Sequence, residues 1–206
     1  MAKTALALET GTIVAKNGIE FLLALEKRGI DSKSVYFKCK SLLYFQYDLD
    51  TPMLFGKGNE VEEYRQLCAL YNADPVHVVM PIAEVKQHAE GSVIGYVMEG
   101  VAGYSLEALD HTYYHGQKNR TESEVREKGM LYLSSMEELV AVVRGLHDKG
   151  VGHGDLPMRN VIVTGRGIKL VDPYPRESEE KTIMEDLKVI ASYEKNIAAL
   201  RLVLRA

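Results

Sequence analysis

The sequence predicts an α+β protein built from two small parts, a β-rich N-terminal half and a mostly helical C-terminal half. Runs rich in β-branched and aromatic residues concentrate before residue 99, whereas the best-marked helix patterns come after residue 134. A chain of 206 residues is long enough for one sizeable core or for two small lobes that share a cleft.

Two helix patterns interrupt the strands of the first half. The first covers residues 18–28, with Asn17 as its N-cap and Gly29 after its end. The second begins with a capping-box pattern at residues 59–62 and continues to about residue 71. Strands are predicted at residues 5–16 (broken near Thr10-Gly11), 35–40, 42–49, 82–86 and 93–98, and the last two form a hairpin around Glu90-Gly91-Ser92.

The second half is predicted to consist of helices around one short hairpin. Its polar stretch, residues 110–128, is expected to be a loop with a short charged helix, and it contains His111 and His115. The remaining elements are a helix from a capping Ser134 or Ser135 to Lys149 with Gly150 at its end, strands at 161–163 and 168–171, and a core-facing helix from about Ser178.

Composition excludes several classes of function. A net charge of -4 argues against a nucleic-acid-binding protein, which usually carries a basic surface. The two cysteines, Cys39 and Cys68, are too few for a disulfide framework and are expected to be buried thiols in a reducing compartment. The six histidines fit no zinc-ligand spacing. No run is apolar enough to span a membrane and no secretory signal pattern is visible, so a cytosolic protein is expected.

One group of polar residues in the second half has the composition of a catalytic site. After the helix that ends at Gly150, a loop presents His153, Asp155 and Asn160, and the hairpin that follows ends in Asp172. Carboxylate and amide oxygens are the ligands that Mg²⁺ prefers, and Mg²⁺ takes few of them from protein. Phosphoryl transfer needs a metal, alignment and a carboxylate that orients the acceptor. The spacing therefore predicts a phosphoryl-transfer site.

This loop and hairpin resemble the catalytic core of the protein-kinase superfamily. That family has a catalytic Asp followed five residues later by an Asn, and then a metal-binding Asp after a hairpin. The resemblance implies that Asp155 orients the acceptor hydroxyl and accepts its proton, and that ATP is the phosphate donor. It also implies that Asn160 and Asp172 hold Mg²⁺, and that His153 fixes the loop.

Two departures from the family pattern stand in the same loop. Gly154 replaces an arginine that pairs with a phosphorylated activation loop in regulated members, so switching of that kind is not expected. Pro173-Tyr174 replaces the usual Phe-Gly after Asp172. Because few residues follow Asp172, we expect a truncated helical lobe without the ordinary peptide-docking helices.

The first half resembles the nucleotide-binding lobe of the same superfamily. Residues 93–98 and those after them resemble its fifth strand and hinge, which places Met98 at the gatekeeper position. The backbone of Glu99 and Val101 would then bind adenine. Gly11 is the candidate for a phosphate-covering loop at residues 8–13, although the repeated glycines of the family are missing.

The family also has a strand lysine that contacts the phosphates and pairs with a helix glutamate. Lys38 and Lys40 lie on the same face of a predicted strand because side chains repeat every two residues. We prefer Lys40 and keep Lys38 as the alternative. For the glutamate we prefer Glu63, which has apolar residues behind it at helical spacing. Glu62 is assigned to the capping box, and Glu60 is expected to be solvated.

The motifs and the truncation together resemble the minimal effector kinases of bacterial type III secretion, the HopBF family in particular. The fold implied is a minimal bilobal kinase-like one, with a β-rich nucleotide-binding lobe at residues 1–99 and a truncated helical lobe at residues 100–206. The activity implied is that of a serine/threonine protein kinase acting on the HSP90 chaperone of a host. A monomer is expected, without nucleic-acid or membrane partners, that reaches the host cytosol without a cleaved signal peptide. The alternatives are a small-molecule kinase of the aminoglycoside or atypical type and a kinase-like binding module.

Overall fold

The chain has mixed α and β structure, and the computed structural model describes residues 11–15, 18–39, 53–55, 60–87, 91–115 and 121–205. These residues form a five-stranded sheet, a three-stranded sheet and five α-helices, which confirms the α+β class. They group into two compact units, residues 1–65 with 80–100 and residues 66–79 with 101–206. Residues 66–79 thus group with the C-terminal half, whereas the sequence division at residue 99 placed them in the first.

The first unit contains the five-stranded sheet. Its strands, in spatial order, are β1 (Gly11–Val14), β4 (Pro81–Lys86), β5 (Val93–Glu99), β2 (Val35–Cys39) and β3 (Met53–Phe55). The pairs β1–β4 and β2–β3 are parallel, and β5 is antiparallel to both of its neighbours. The predicted hairpin is confirmed as β4 and β5. The strand predicted at residues 42–49 lies outside the described residues.

Gly95 allows β5 to approach β2 closely. It pairs with Cys39, and a Cβ atom at position 95 would lie 2.2 Å from the carbonyl oxygen of Lys38. Any other residue would push the two strands apart, because Cβ atoms do not approach a backbone oxygen so closely. Gly95 therefore helps to set the position of Lys38 in the sheet.

Helix α1 (Gly18–Lys27) packs its apolar face on this sheet. The ring centroids of Phe21 and Phe37 lie 4.8 Å apart, and both residues are fully buried. Just past the helix end, Gly29 has φ +67° and donates its N–H to the carbonyl oxygen of Glu26, while Ile30 donates to Leu25. This is a Schellman arrangement, which favours glycine at its left-handed position. The predicted helix and its glycine stop are confirmed, and the proposed N-cap Asn17 lies outside the described residues.

Helix α2 (Glu60–Ala73) is confirmed as a helix, but its first turn is more buried than expected. Glu60 is 0% exposed and Glu63 is 1% exposed. The expectation that Glu60 is solvated is therefore wrong. Residues three apart share a face of a helix, so Glu60 and Glu63 are buried together. Asn59, the cap of the predicted capping box, lies outside the described residues.

The second unit contains the three-stranded sheet and three further helices. The elements are β6 (Tyr104–Ser105), α3 (Leu106–His115), α4 (Glu122–His147), β7 (Val161–Thr164), β8 (Gly167–Leu170) and α5 (Glu179–Arg205), and the sheet order is β6-β7-β8. The predicted hairpin is confirmed as β7 and β8, and α5 begins close to the predicted position. The hydroxyl of Ser105 accepts a hydrogen bond from the N–H of Ala108 at the start of α3.

In the polar segment at residues 110–128, the described residues 110–115 and 122–128 are helical, so the helical part is longer than expected. Residues 116–120, where a loop was also expected, lie outside the described residues. His111 and His115 lie in α3. Helix α4 begins with a capping box, in which the Thr121 hydroxyl accepts from the N–H of Glu124 and the Glu124 carboxylate accepts from the N–H of Thr121. The capping residue predicted at Ser134 or Ser135 is wrong, because both serines lie inside α4 and donate their hydroxyls to the carbonyl oxygen of Leu131.

Helix α5 packs against α4. Its buried stripe consists of Ile190, Tyr193, Ile197 and Leu200, whereas Leu187 on the same helix is 42% exposed. No helix within the described ranges is both long enough and apolar enough to cross a membrane. Cys39 is buried and Cys68 is half-buried.

Candidate active site

The candidate loop, residues 151–160, starts from a fixed helix end. Gly150 has φ +75° and donates its N–H to His147 at 2.8 Å, while Val151 donates to Leu146 at 3.1 Å. This is again a Schellman arrangement, so the predicted glycine stop of α4 is confirmed. The loop leaves α4 in a defined direction and enters β7 through a 3-10 turn at Met158–Asn160.

The backbone of the loop is held by the carboxylate of Asp186 on α5. Its Oδ2 accepts from the N–H of His153 at 2.6 Å, and its Oδ1 accepts from the N–H of Gly154 at 2.8 Å. Nε2 of His147 lies 3.1 Å from Oδ2. The Asp186 side chain is 1% exposed, and a buried carboxylate needs such partners to remain charged. Asp186 therefore fixes the two residues that precede Asp155.

Sequence reasoning missed Asp186 because α5 was treated as a core-facing helix. The signal is nevertheless visible: Asp186 lies three residues after Ile183 and four before Ile190, on the same helix face. A lone acidic residue in an apolar stripe predicts a buried hydrogen-bonded carboxylate.

His153 ties the loop to the end of the hairpin. The side chain is buried, and its Nε2 lies 3.0 Å from the carbonyl oxygen of Val171. Burial lowers the pKa of His153, which favours a neutral ring with the proton on Nε2. Nδ1 then accepts from the N–H of Asp155 at 3.4 Å. His153 thus contacts both sides of the site, next to Asp155 and next to Asp172.

Gly154 is required by the backbone. It has φ +79°, and a Cβ atom there would lie 2.1 Å from the carbonyl oxygen of Tyr174. The N–H of Tyr174 donates to the carbonyl oxygen of His153 at 2.9 Å, so the segment after Asp172 runs close against the loop. An arginine at position 154 would be strained in this left-handed conformation, and its Cβ would collide with the Tyr174 backbone, which explains why a glycine stands here.

The side chain of Asn160 joins Asp155 to Asp172. Its Nδ2 lies 3.0 Å from the carbonyl oxygen and 3.2 Å from Oδ2 of Asp155, and 3.4 Å from the carbonyl oxygen of Asp172. Asn160 is 5% exposed, whereas the Asp155 side chain is 23% exposed. The donor end of the amide therefore binds the two aspartates, and the Asp155 side chain is partly exposed.

The backbone of Asp172 is strained. Its φ is +60°, the one positive value at a non-glycine residue among the described residues. Such a conformation persists only where surrounding contacts enforce it, and it is concentrated at functional sites. The loop holds the chain on both sides of Asp172. Val171 donates its N–H to the carbonyl oxygen of Asn160 at 3.0 Å, and Tyr174 donates its N–H to that of His153.

The first unit holds a buried ion pair. Nζ of Lys38 lies 2.7 Å from Oε2 of Glu63, and the two side chains are 4% and 1% exposed. Nζ of Lys38 also lies 6.0 Å from the ring centroid of Tyr96, at the limit of a cation–π contact. Lys38, the alternative in the sequence analysis, is thus the lysine seen paired with the preferred Glu63. The preferred Lys40 lies outside the described residues.

Three of the remaining nucleotide-binding candidates, Met98, Glu99 and Gly11, lie in strands, whereas Val101 follows the end of β5. Met98 is 2% exposed in β5, and Glu99 donates its N–H to Met80 at 2.9 Å. Val101 is half-buried in the second unit. Gly11 is the first residue of β1 and pairs with Ala83, so residues 11–13 of the expected phosphate-covering loop form a strand. Residues 8–10 lie outside the described residues.

The oxygens of Asp172 and Asn160 fit a hard cation better than a transition metal. A carboxylate and an amide oxygen suit Mg²⁺, which completes its octahedron with water and phosphate. Within the described part of the chain, no group of three or more histidine, cysteine or carboxylate side chains is arranged to hold a metal ion.

Comparison with protein-family models finds none that matches the chain, and comparison with curated proteins finds no match either.

Proposed function

We propose that the chain is an ATP- and Mg²⁺-dependent phosphotransferase of the protein-kinase type. The observation that carries this proposal is the Asn160 amide, which binds Asp155 on one side and the backbone of a strained Asp172 on the other. A surface hairpin whose carboxylates merely cap turns does not need a buried asparagine between them, nor a positive φ at an aspartate.

Three residues of the second unit, Asp155, Asn160 and Asp172, have roles in the proposed reaction. Asp155 accepts the proton of the acceptor hydroxyl as that oxygen bonds to the γ-phosphorus of ATP, while the bond from the γ-phosphorus to the bridging oxygen breaks and ADP leaves. Asn160, whose Nδ2 is used by the aspartates, offers Oδ1 to Mg²⁺ together with the carboxylate of Asp172. When bound, Mg²⁺ would neutralise negative charge on the phosphate groups of ATP.

Lys38 and Glu63 are the residues that we propose to position the phosphates of ATP. The proposal assigns Lys38 to the α- and β-phosphates and Glu63 to orienting its ammonium group. Support comes from the burial of the pair, because two charges are removed from water only at a large desolvation cost. In the proposal, this cost is accepted because the pair orients the ammonium group toward the phosphates.

The finer fold and the substrate are part of the same proposal. We take the two compact units as the lobes of a minimal kinase-like fold and serine or threonine of a protein as the acceptor. The resemblance to the HopBF family makes the HSP90 chaperone the first acceptor to test. The protein would then act in a host cytosol.

Incubation with labelled ATP, Mg²⁺ and a eukaryotic lysate tests this proposal. Mass spectrometry is expected to identify a protein that gains phosphate on serine or threonine, in the wild type but not in Asp155→Asn. Label found only in metabolites would favour the small-molecule kinase. No transfer to any acceptor, with nucleotide still bound, would favour a kinase-like binding module.

A further inference from the structure

A cavity of about 200 Å³ lies directly beside the candidate base. It is formed within the second unit by loop residues 154–157, by Arg176, and by Glu185, Asp186 and Val189 of α5. Asp155 is therefore at once the reacting group of the proposed function and part of the cavity wall. This volume is well below that of a site for a whole small-molecule ligand and suits one side chain.

The walls of this cavity are held in place before anything binds. Asp186 is occupied by the two backbone N–H groups of the loop and serves as a fixed wall. Arg176 donates from Nη2 to the carbonyl oxygen of Gly154 at 3.1 Å, and its guanidinium carbon lies 5.1 Å from the ring centroid of Tyr174. Its backbone N–H also donates to the hydroxyl of Thr182. Because these walls are already ordered, little conformational entropy is lost when a side chain binds.

The chemistry of the walls favours a long cationic side chain. Leu156, Pro157 and Val189 provide apolar surface, which suits the methylene stem of a lysine or arginine. Three carboxylates line the cavity, but Asp186 is occupied by the loop and Asp155 lies beside Asn160 and 4.0 Å from the guanidinium of Arg159. Glu185 is therefore the carboxylate that serves an incoming cation. Lysine and arginine combine an apolar stem with a charged end, and these walls match both parts.

Glu185 is the carboxylate that an incoming cation reaches at the rim. It is 44% exposed, and Nζ of Lys188 lies 2.7 Å from its Oε1. The hydrogen bond from Lys188 lowers the pKa of Glu185, so it is ionised at neutral pH. A carboxylate has a second oxygen, so one partner on Oε1 still allows another cation to bind.

We infer that this cavity is an acceptor-side subsite, which takes a lysine or arginine next to the phosphoacceptor serine or threonine of a protein substrate. The inference rests on the proposed kinase activity, because that activity makes Asp155 the point where the acceptor hydroxyl must lie. Glu185 is then a specificity-determining residue. It contacts the neighbouring side chain of the substrate and takes no part in the chemical step.

Fluorescence anisotropy with two labelled peptides tests the subsite without requiring phosphate transfer. The peptides are identical except that the single serine is flanked by arginines in one and by glutamates in the other. We expect the arginine peptide to bind about fivefold more tightly, the size typical of one exposed ion pair together with the loss of a repulsion. The preference is expected to shrink when ionic strength rises from about 50 mM to about 300 mM, because salt screens exposed charges.

Two variants on the same helix are expected to change this preference in opposite directions. Glu185→Gln removes the rim charge and lowers the preference to about twofold, whereas Lys188→Gln releases Glu185 from its partner and raises it. The Glu185 and Lys188 side chains are 44% and 65% exposed, and thermal melting checks that each variant folds. Equal binding of the two peptides, or the same preference in wild type and Glu185→Gln, overturns the subsite.

Phosphate transfer is measured in a separate assay, so a failure of the kinase proposal can be told apart from a failure of the subsite. A Glu185-dependent preference without any phosphate transfer supports the basic-peptide site and counts against the kinase proposal. Transfer to both peptides at one rate, with equal affinities, supports the kinase proposal and overturns the subsite.

Discussion

Replacing Asp186 tests whether one buried carboxylate on α5 holds the candidate catalytic loop. Asp186→Ala removes the acceptor of two backbone N–H groups, those of His153 and Gly154, and of the His147 ring. Asp186→Asn keeps the volume but has only one acceptor oxygen, so its amide nitrogen must face an N–H donor. The two variants therefore remove all or about half of the same interactions.

The expected cost follows from those bonds. Hydrogen bonds to a charged group contribute about 1.5–3 kcal/mol each, and a buried donor without an acceptor costs about 1–3 kcal/mol. We expect Asp186→Asn to lower the free energy of unfolding by about 2–3 kcal/mol and Asp186→Ala by about 3–5 kcal/mol. Domains of this kind have about 5–15 kcal/mol in total, so the alanine variant approaches the limit of folding.

Urea unfolding followed by far-UV circular dichroism measures these differences. Glu180→Gln on the same helix is the matched control, because Glu180 is exposed and its loss is expected to change stability by about 0.5 kcal/mol or less. Asp186→Asn that is as stable as this control would refute the account of the loop. Phosphate transfer is expected to fall with the same variant, since the loop then loses its fixed position.

Three further predictions concern other buried polar groups. Lys38→Met breaks the buried pair with Glu63 and is expected to cost about 3–5 kcal/mol, whereas adding Glu63→Leu restores most of the stability but no phosphate transfer; restored transfer would contradict the role given to the pair. Tyr193 donates its hydroxyl to the carbonyl oxygen of Leu156 at 2.7 Å, and burial raises its pKa to about 12. Tyr193→Phe is expected to cost about 1 kcal/mol in urea unfolding, and no change would argue against this bond. Burial lowers the pKa of His153, so the unfolded chain binds that proton more readily than the folded chain. The unfolding free energy is thus expected to fall as the pH drops below about 6.5, with a smaller fall in His153→Asn; equal falls would contradict a buried neutral ring.

The sequence was most informative where a local rule decides the structure. The glycine stops at Gly29 and Gly150 follow from the need for a left-handed residue after a helix. The spacing of Asp155, Asn160 and Asp172 was readable because all three lie in one continuous loop and hairpin. The hydrogen bonds of Asn160 then bring them together in the structure.

The sequence left positions open, or predicted them wrongly, where contacts between distant residues determine the structure. The alternation of strand side chains leaves Lys38 and Lys40 on one face, and only the packing of α2 on the sheet shows Lys38 with Glu63. Burial of Glu60 is likewise a tertiary effect that a run of acidic residues does not reveal. The start of α4 was missed for a local reason, because the capping box that begins at Thr121 competes with two serines farther along the chain.

Transfer of phosphate from labelled ATP by matched carboxylate variants tests the central claim most directly. Wild type, Asp155→Asn, Asp172→Asn and the control Glu180→Gln are compared with Mg²⁺ and a eukaryotic lysate as the acceptor source. We predict transfer by the wild type and the control, and a loss of at least about a hundredfold in Asp155→Asn, as expected when the residue that accepts the proton is removed. Asp172→Asn is predicted to lose the Mg²⁺ dependence of nucleotide binding as well as transfer. An Asp155→Asn variant that transfers phosphate at the wild-type rate would contradict the account.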